Sequence, residues 1–274
     1  MSVIDYEAEY NNRARVPDHP AHIAGWIADA ADYREHTPPT PIPFGPGERA
    51  VLDLFTPADP RGAATLVFIH GGYWQAMERS YFSHMAKGAN AHGISVAVPG
   101  YDLCPDNSIT GIIDQMREAC RVLLKLGRPL VIAGHSAGGH LAACMLATDW
   151  RAQDPDLAQD SVRAAYAISG LFDLEPLIST SINKALGLDA ESARAVSPLH
   201  NPPPHPGAIL DAVVGGAESA EYHRQSERIA ASWGEAGVAT RYARIDACHH
   251  FDVIAGLADP DSAMTRRVVA LAGG

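Results

Sequence analysis

The 274-residue sequence has no apolar run long enough to span a bilayer, no cluster of lysine and arginine, and no C-x-x-C pair. The first absence argues against a membrane-spanning segment. The second, with 21 Lys and Arg against 32 Asp and Glu and a formal charge of -11, argues against a surface built to neutralise nucleic-acid phosphates. The four cysteines, Cys104, Cys120, Cys144 and Cys248, are widely separated. They read as small core residues in a reducing compartment rather than as a disulfide framework or a zinc site. Asp5, Glu7 and Glu9 stand where a secretory signal would carry its basic region and apolar core, so a cytoplasmic protein is expected. No internal repeat or low-complexity tract is present, and the acidic balance by itself reads as a solvated surface.

What is there is an apolar chain, 47% hydrophobic and long enough to bury a large core, and one α/β domain over residues 1–274 is expected. Tyr6, Tyr10, Ile23, Trp26, Ile27 and Tyr33 fall at roughly helical spacing and predict an N-terminal helical arm. Pro38, Pro39, Pro41, Pro43 and Pro46 follow. Proline cannot donate to a strand ladder, so this passage is predicted to be an ordered loop closing the arm near residue 48. Beyond it, apolar runs at 50–55, 65–69, 95–98, 130–133, 164–169, 209–214 and 240–245 alternate with helical patterns at 81–91, 108–126, 137–148, 221–235 and 262–271. Such alternation predicts an α/β fold, with a mostly parallel central sheet and helices on both faces. The stretch 171–205 interrupts it and is predicted to be an insertion acting as a lid or pocket wall.

The chemistry is carried by three loops. Gly134-His135-Ser136-Ala137-Gly138-Gly139 follows the apolar run 130–133 and opens a helical pattern. That is the strand, sharp turn and helix of the nucleophile elbow of α/β-hydrolases, where small residues allow the strand and helix backbones to approach. His70-Gly71-Gly72-Tyr73-Trp74 follows the run 65–69. Its glycine pair suits an oxyanion hole, with the N–H groups of Gly72 and Tyr73 on one side and that of Ala137 on the other. A serine needs an imidazole base and a carboxylate to orient it, in the order serine, acid, histidine for this fold. Glu218 lies in the loop after 209–214; Glu221 falls in the next helix and Asp211 within the strand, so Glu218 is the preferred acid. After the last strand, His249 and His250 both qualify as the base, and local reasoning leaves the choice open. No H-E-x-x-H or paired-cysteine spacing supports a metal, and no cofactor motif is present. His70 and His135 read as structural residues that anchor the two loops by hydrogen bonds.

Three segments together, His70-Gly71-Gly72-Tyr73-Trp74-Gln75, Gly134-His135-Ser136-Ala137-Gly138 and Ser169-Gly170-Leu171-Phe172-Asp173-Leu174-Glu175-Pro176-Leu177, resemble the kynurenine formamidases of the α/β-hydrolase fold. Tyr101-Asp102-Leu103-Cys104-Pro105, Glu221-Tyr222-His223-Arg224-Gln225-Ser226 and Glu9-Tyr10-Asn11 extend the likeness. The resemblance implies Ser136 as nucleophile, Glu218 as acid and His250, which precedes Phe251-Asp252, as base. One departure is Glu218 itself, where members of the family carry aspartate. The implied reaction is hydrolysis of an N-formyl aryl amine, foremost N-formyl-L-kynurenine, to formate and the free amine through a formyl-enzyme. Tyr73 and Trp74 would either line an aromatic pocket or serve as packing. The alternatives are a small-acyl carboxylesterase or other amidase on the same fold and, more remotely, a ligand-binding protein without activity. The expected partner is thus a small-molecule aryl formamide or ester, with no nucleic acid and no membrane. No residue pattern fixes the oligomeric state, and a homo-oligomer is compatible with the chain.

Overall fold

Helices and strands follow the apolar periodicity of the chain closely. In the computed structural model, which describes residues 4–273, three helices form the N-terminal arm: α1 (Tyr6–Tyr10), α2 (Asn12–Arg15) and α3 (His19–His36). Met1, Ser2, Val3 and Gly274, the ends of the predicted domain, lie outside the described residues. Eight strands follow: β1 (Thr40–Pro43), β2 (Val51–Phe55), β3 (Thr65–Ile69), β4 (Val96–Pro99), β5 (Leu130–His135), β6 (Val162–Ile168), β7 (Ile209–Gly215) and β8 (Ala239–Ile245). They form one sheet in the order β1-β2-β4-β3-β5-β6-β7-β8. Strands β1 and β2 are antiparallel to their neighbours, and all pairs from β4 to β8 are parallel. Between the strands run α4 (Lys87–Ala91), preceded by a 3-10 helix Arg79–Ala86, α5 (Ile109–Leu124), α6 (Ala137–Leu146), α7 (Trp150–Gln153), α8 (Asn183–Leu186), α9 (Ala190–Ala195) and α10 (Ala220–Glu235), and α11 (Ala263–Leu271) follows β8.

Strand β1 corrects the reading of the proline passage as a loop. Pro41 and Pro43 pair with Asp53 and Val51 of β2. The prolines are two residues apart, so their missing N–H groups fall on one side of the strand. At the outer edge of the sheet that side needs no partner, which is where proline is tolerated in a strand.

The central strands are buried from end to end, and alternate side chains enter two separate cores. Val67, Ile69, Leu130 and Ile132 pack with residues of α5, α6 and α10, including Ile112, Met116, Leu141 and Ile229. Leu66, Phe68, Val131 and Ala133 pack on the opposite face with Trp26, Phe82, Met85 and Val268. Each fully buried aliphatic side chain contributes about 1.5–3 kcal/mol. Helix α5 shows how the pattern becomes an element: Ser108 caps it by accepting the Gly111 N–H at 3.1 Å, and its apolar steps from Ile109 to Leu124 are all on the buried face. Among the described residues no helix is long and apolar enough to cross a membrane.

This topology gathers the loops that follow β3, β5, β6, β7 and β8 at the C-terminal edge of the parallel strands. Backbone strain concentrates there. Among the described residues, the non-glycine residues with positive φ are Tyr73, Trp74 and Met77 after β3, Ser136 after β5, Ser169 after β6 and Ala247 after β8. Strained conformations of this kind persist where surrounding structure over-determines them, and they cluster at functional sites.

Candidate active site

Ser136 sits at φ 58° and ψ -117° between β5 and α6. The turn is as tight as the small residues suggested: a Cβ on Gly138 would lie 1.9 Å from the Ile69 carbonyl oxygen, and one on Gly134 would lie 2.1 Å from that of Gly138. Ala137 is the first residue of α6, so its N–H has no acceptor within the helix. Gly71 closes against the same turn, where a Cβ would stand 3.0 Å from that of Ser136. Gly72, at φ +111°, turns the chain into Tyr73 at φ 51°. Among the described residues, the N–H groups of Gly72 and Tyr73 donate to no protein acceptor. Free donors on this loop beside the first N–H of a helix are groups that can hold an oxyanion.

Glu218 and His250 are both buried and joined directly, Glu218 Oε2 to His250 Nδ1 at 2.6 Å. The other carboxylate oxygen accepts the Gly215 N–H at 2.8 Å and the Ser169 hydroxyl at 2.5 Å. Gly215 is required for this approach, since a Cβ there would meet the Cys248 carbonyl oxygen at 2.4 Å and Glu218 Oε1 at 3.0 Å. The imidazole of His250 is packed between the rings of Tyr222 and His135, each with its centroid 4.7 Å away. Hydrogen bonding to a carboxylate leaves the Nδ1 position protonated and Nε2 free to accept a proton.

Ser136 and His250 line the same cavity, about 390 Å³ in volume, with Gly71, Gly72 and Tyr73. Trp26, Phe82 and Phe251 add aromatic surface, and Ser181 and Ile182 place the 171–205 segment on the cavity as a wall. The two histidines left open by the sequence are separated here. The His249 ring is absent from this cavity; its Nδ1 accepts the Phe251 N–H at 3.1 Å and its ring lies edge-on to His22. Asp211 is buried beneath Arg241 and Arg267, and Glu221 is paired with Arg224, so neither approaches His250 as Glu218 does. Cys104, Cys120 and Cys144 are pushed up to about 11, 12 and 12 by burial, which leaves them protonated and poor nucleophiles.

Trp74 does not line the cavity; it is fully buried, edge-on to His140 at 5.0 Å, and is a packing residue. His70 anchors its loop by hydrogen bonds, with Nδ1 donating to the Gly71 carbonyl at 2.7 Å and the ring stacked on Tyr101. His135 likewise hydrogen-bonds the backbone of His250 and packs its ring on that residue, while its Nε2 has no hydrogen-bond partner.

The N-terminal arm contributes more than the sequence signalled. Asn12 donates to the Tyr222 hydroxyl at 2.8 Å, that hydroxyl lies 2.6 Å from the Tyr73 hydroxyl, and Tyr73 donates to the Tyr10 carbonyl at 2.6 Å. Burial holds the Tyr10, Tyr73 and Tyr222 phenols well above their ordinary range, so they remain protonated donors. Glu7 accepts from the Ser181 N–H at 2.7 Å and clasps the 171–205 segment. The Glu9-Tyr10-Asn11 likeness was the only sequence signal of this role, because the partners are some 200 residues away, as in the 210-residue separation of Asn12 and Tyr222.

Four buried imidazoles give the fold a definite acid response. Burial holds His70, His84 and His140 down to about 4 and holds His135 well below its ordinary value. Each keeps one ring nitrogen without a partner, the bare lone pair of a neutral imidazole. A folded value below the unfolded one, about 6.5, means that the unfolded chain binds more protons in between. Their contribution is therefore fully present above about pH 6.5 and is lost as pH falls toward about 4. The urea midpoint is expected to fall steadily from pH 7 to pH 4, with these four histidines contributing; a flat profile contradicts this.

The model of the family described as the alpha/beta hydrolase fold matches residues 66–253. Kynurenine formamidase from Salmo salar is 30% identical over 241 residues, covering 85% of this chain and 81% of that protein. The Danio rerio kynurenine formamidase is 29% identical over 240 residues, with the same two shares. Among solved structures, a candidate thioesterase from Silicibacter sp. TM1040 is 34% identical with a TM-score of 0.86, covering 99% of this chain and all of that one. The sheet order, the strained serine turn and these likenesses agree: this chain is a hydrolase belonging to the kynurenine formamidase family of the α/β-hydrolase fold.

Proposed function

We propose that the protein hydrolyses an N-formyl aryl amine, foremost N-formyl-L-kynurenine, with Ser136, Glu218 and His250 as its catalytic triad. The observation that carries this reading is the meeting of three distant loops at one cavity. Ser136 stands on the elbow and His250 beside it, with the buried Glu218 carboxylate 2.6 Å from His250 Nδ1. In the proposed sequence the Ser136 hydroxyl attacks the formyl carbon while His250 Nε2 takes its proton. The carbonyl oxygen becomes an oxyanion facing the N–H groups of Gly72, Tyr73 and Ala137. His250 then passes the proton to the departing aryl nitrogen, the C–N bond breaks, and the amine leaves a formyl ester on Ser136. Water, deprotonated by the same histidine, attacks that ester; formate departs and the proton returns to the serine oxygen. Glu218 holds the imidazole in the tautomer this requires and stabilises its charged form; it is one methylene longer than aspartate but does the same work.

Support for an aryl substrate comes from Trp26, Phe82 and Phe251 on the cavity wall, and support for a formyl group from the relatives named kynurenine formamidase. The unpaired state of all four cysteines fits a reducing compartment, and we place the reaction in the cytoplasm. A second reading, hydrolysis of a small-acyl ester or thioester, is favoured by the name of the 34% identical Silicibacter protein. The test is kcat/KM for N-formyl-L-kynurenine against that for p-nitrophenyl acetate, with Ser136→Ala as the blank. The formamide is expected to be far the better substrate; activity confined to the ester overturns the formamidase reading.

A further inference from the structure

The charge of the cavity lining is unlike that of the chain. Across the molecule acidic residues exceed basic ones and the formal charge is -11, yet no aspartate or glutamate lines the cavity that holds Ser136 and His250. Its lining contains one cationic side chain of the lysine and arginine type, Arg13. Arg13 is exposed to solvent and, among the described residues, forms no ion pair. Several other arginines are committed, Arg224 to Glu221, Arg228 to Asp173, Arg49 to Glu78 and Arg267 to Asp211; Arg15, Arg151, Arg163, Arg194 and Arg244 share the lack of an ion pair among the described residues, but none of them lines this cavity.

The backbone that carries Arg13 is fixed from both sides. Asn11 caps α2 by accepting the Ala14 N–H at 3.1 Å, and Asn12 points inward to the Tyr222 hydroxyl at 2.8 Å. The guanidinium therefore starts from a position set by the same network that packs His250. A planar fork with five donors, held at the edge of a partly enclosed cavity with no competing carboxylate, matches a carboxylate on the bound molecule.

From this we infer that Arg13 is a specificity residue, which selects substrates bearing a carboxylate on the aryl leaving group, remote from the bond that is cleaved. The inference deepens the formamidase reading and rests on it only for the identity of the scissile bond. The carboxylate takes no part in the chemistry, so its contact is equally strong in the ground and transition states. Such uniform binding appears in KM rather than in kcat.

The test compares two aryl formamides that differ only in the carboxylate: 4-(2-formamidophenyl)-4-oxobutanoate and 1-(2-formamidophenyl)butan-1-one, which has a methyl group in its place. In Arg13→Gln the ratio of kcat/KM for the anionic to the neutral substrate is expected to fall ten-fold or more, with the change in KM. Arg13→Lys, which keeps the charge but not the fork, is expected to recover part of it. Raising the salt concentration should raise KM for the anionic substrate in the unaltered protein and have less effect in Arg13→Gln. An unchanged ratio, or equal losses on both substrates, overturns the inference. A further arm separates it from the formamidase reading: inhibition of p-nitrophenyl acetate hydrolysis by L-kynurenine and by 2-aminoacetophenone. If neither formamide is cleaved but kynurenine inhibits through Arg13 and the neutral ketone does not, the formamidase reading fails and the role of Arg13 stands. If Arg13→Gln leaves inhibition by kynurenine unchanged, the role of Arg13 fails.

Discussion

Replacing His250 by alanine is expected to lower kcat by about 10⁴-fold or more, and replacing Ser136 by alanine by a similar factor. The two act as one unit: without the imidazole the hydroxyl is a poor nucleophile, and without the hydroxyl the imidazole has no proton to accept. The double variant should therefore be scarcely worse than either single one, and the residual rate over water would come from the oxyanion donors and from binding. His249→Ala is the discriminating control, because the two histidines are adjacent in sequence but differently committed. His250 Nδ1 is 2.6 Å from the Glu218 carboxylate, whereas His249 Nδ1 accepts the Phe251 N–H at 3.1 Å. Turnover in His249→Ala is expected to stay within about one order of magnitude of the unaltered protein. Steady-state rates of the three single variants and of the double variant decide the matter. A dead His249→Ala beside an active His250→Ala would place the base on the wrong residue.

The second large effect concerns folding rather than chemistry. Gly138→Ala is expected to yield insoluble protein, or a melting temperature lower by roughly 10 °C or more, on the scale of a few kcal/mol for a chain of this size. A methyl group there would stand 1.9 Å from the Ile69 carbonyl oxygen and 2.7 Å from that of His70. Both obstacles are backbone at the end of a central strand, so neither can rotate away. Relief would require α6 to move off β3, separating the Ala137 N–H from the Gly72–Tyr73 loop. Gly25 in α3 is the matched control, since it is exposed and a Cβ added there meets nothing within 4 Å. Gly25→Ala is expected to be neutral or to stabilise by about 0.5–1 kcal/mol, because glycine in a helix interior costs that much relative to alanine. Thermal melts of the two variants read both expectations, and a stable Gly138→Ala would show that the elbow is less tightly packed than these distances require.

Much of the architecture was legible because it is local. Seven strands and the longer helices announce themselves by apolar periodicity, and Gly134, Gly138 and Gly71 mark close approaches that only a missing Cβ permits. The edge strand β1 was not legible: the rule that keeps proline out of ladders depends on which neighbours a strand has, and only the sheet order supplies that. Trp74 was ambiguous for a related reason. An aromatic residue after a glycine pair suits either a cavity or a core, and the choice was made by α6, whose His140 it meets edge-on.

By itself, then, the sequence determined the fold class, the serine of the strained turn, the glycine-pair loop after β3 and the carboxylate that follows β7, since each is written in residues adjacent along the chain. The tertiary structure decided which histidine meets Glu218, 32 positions away, and that Asn12 and Arg13 of the N-terminal arm belong to the site at all. The physical reason is that periodicity and turn chemistry act over a few residues, whereas the direction of a loop side chain and the docking of a helix depend on contacts whose partners lie anywhere in the chain.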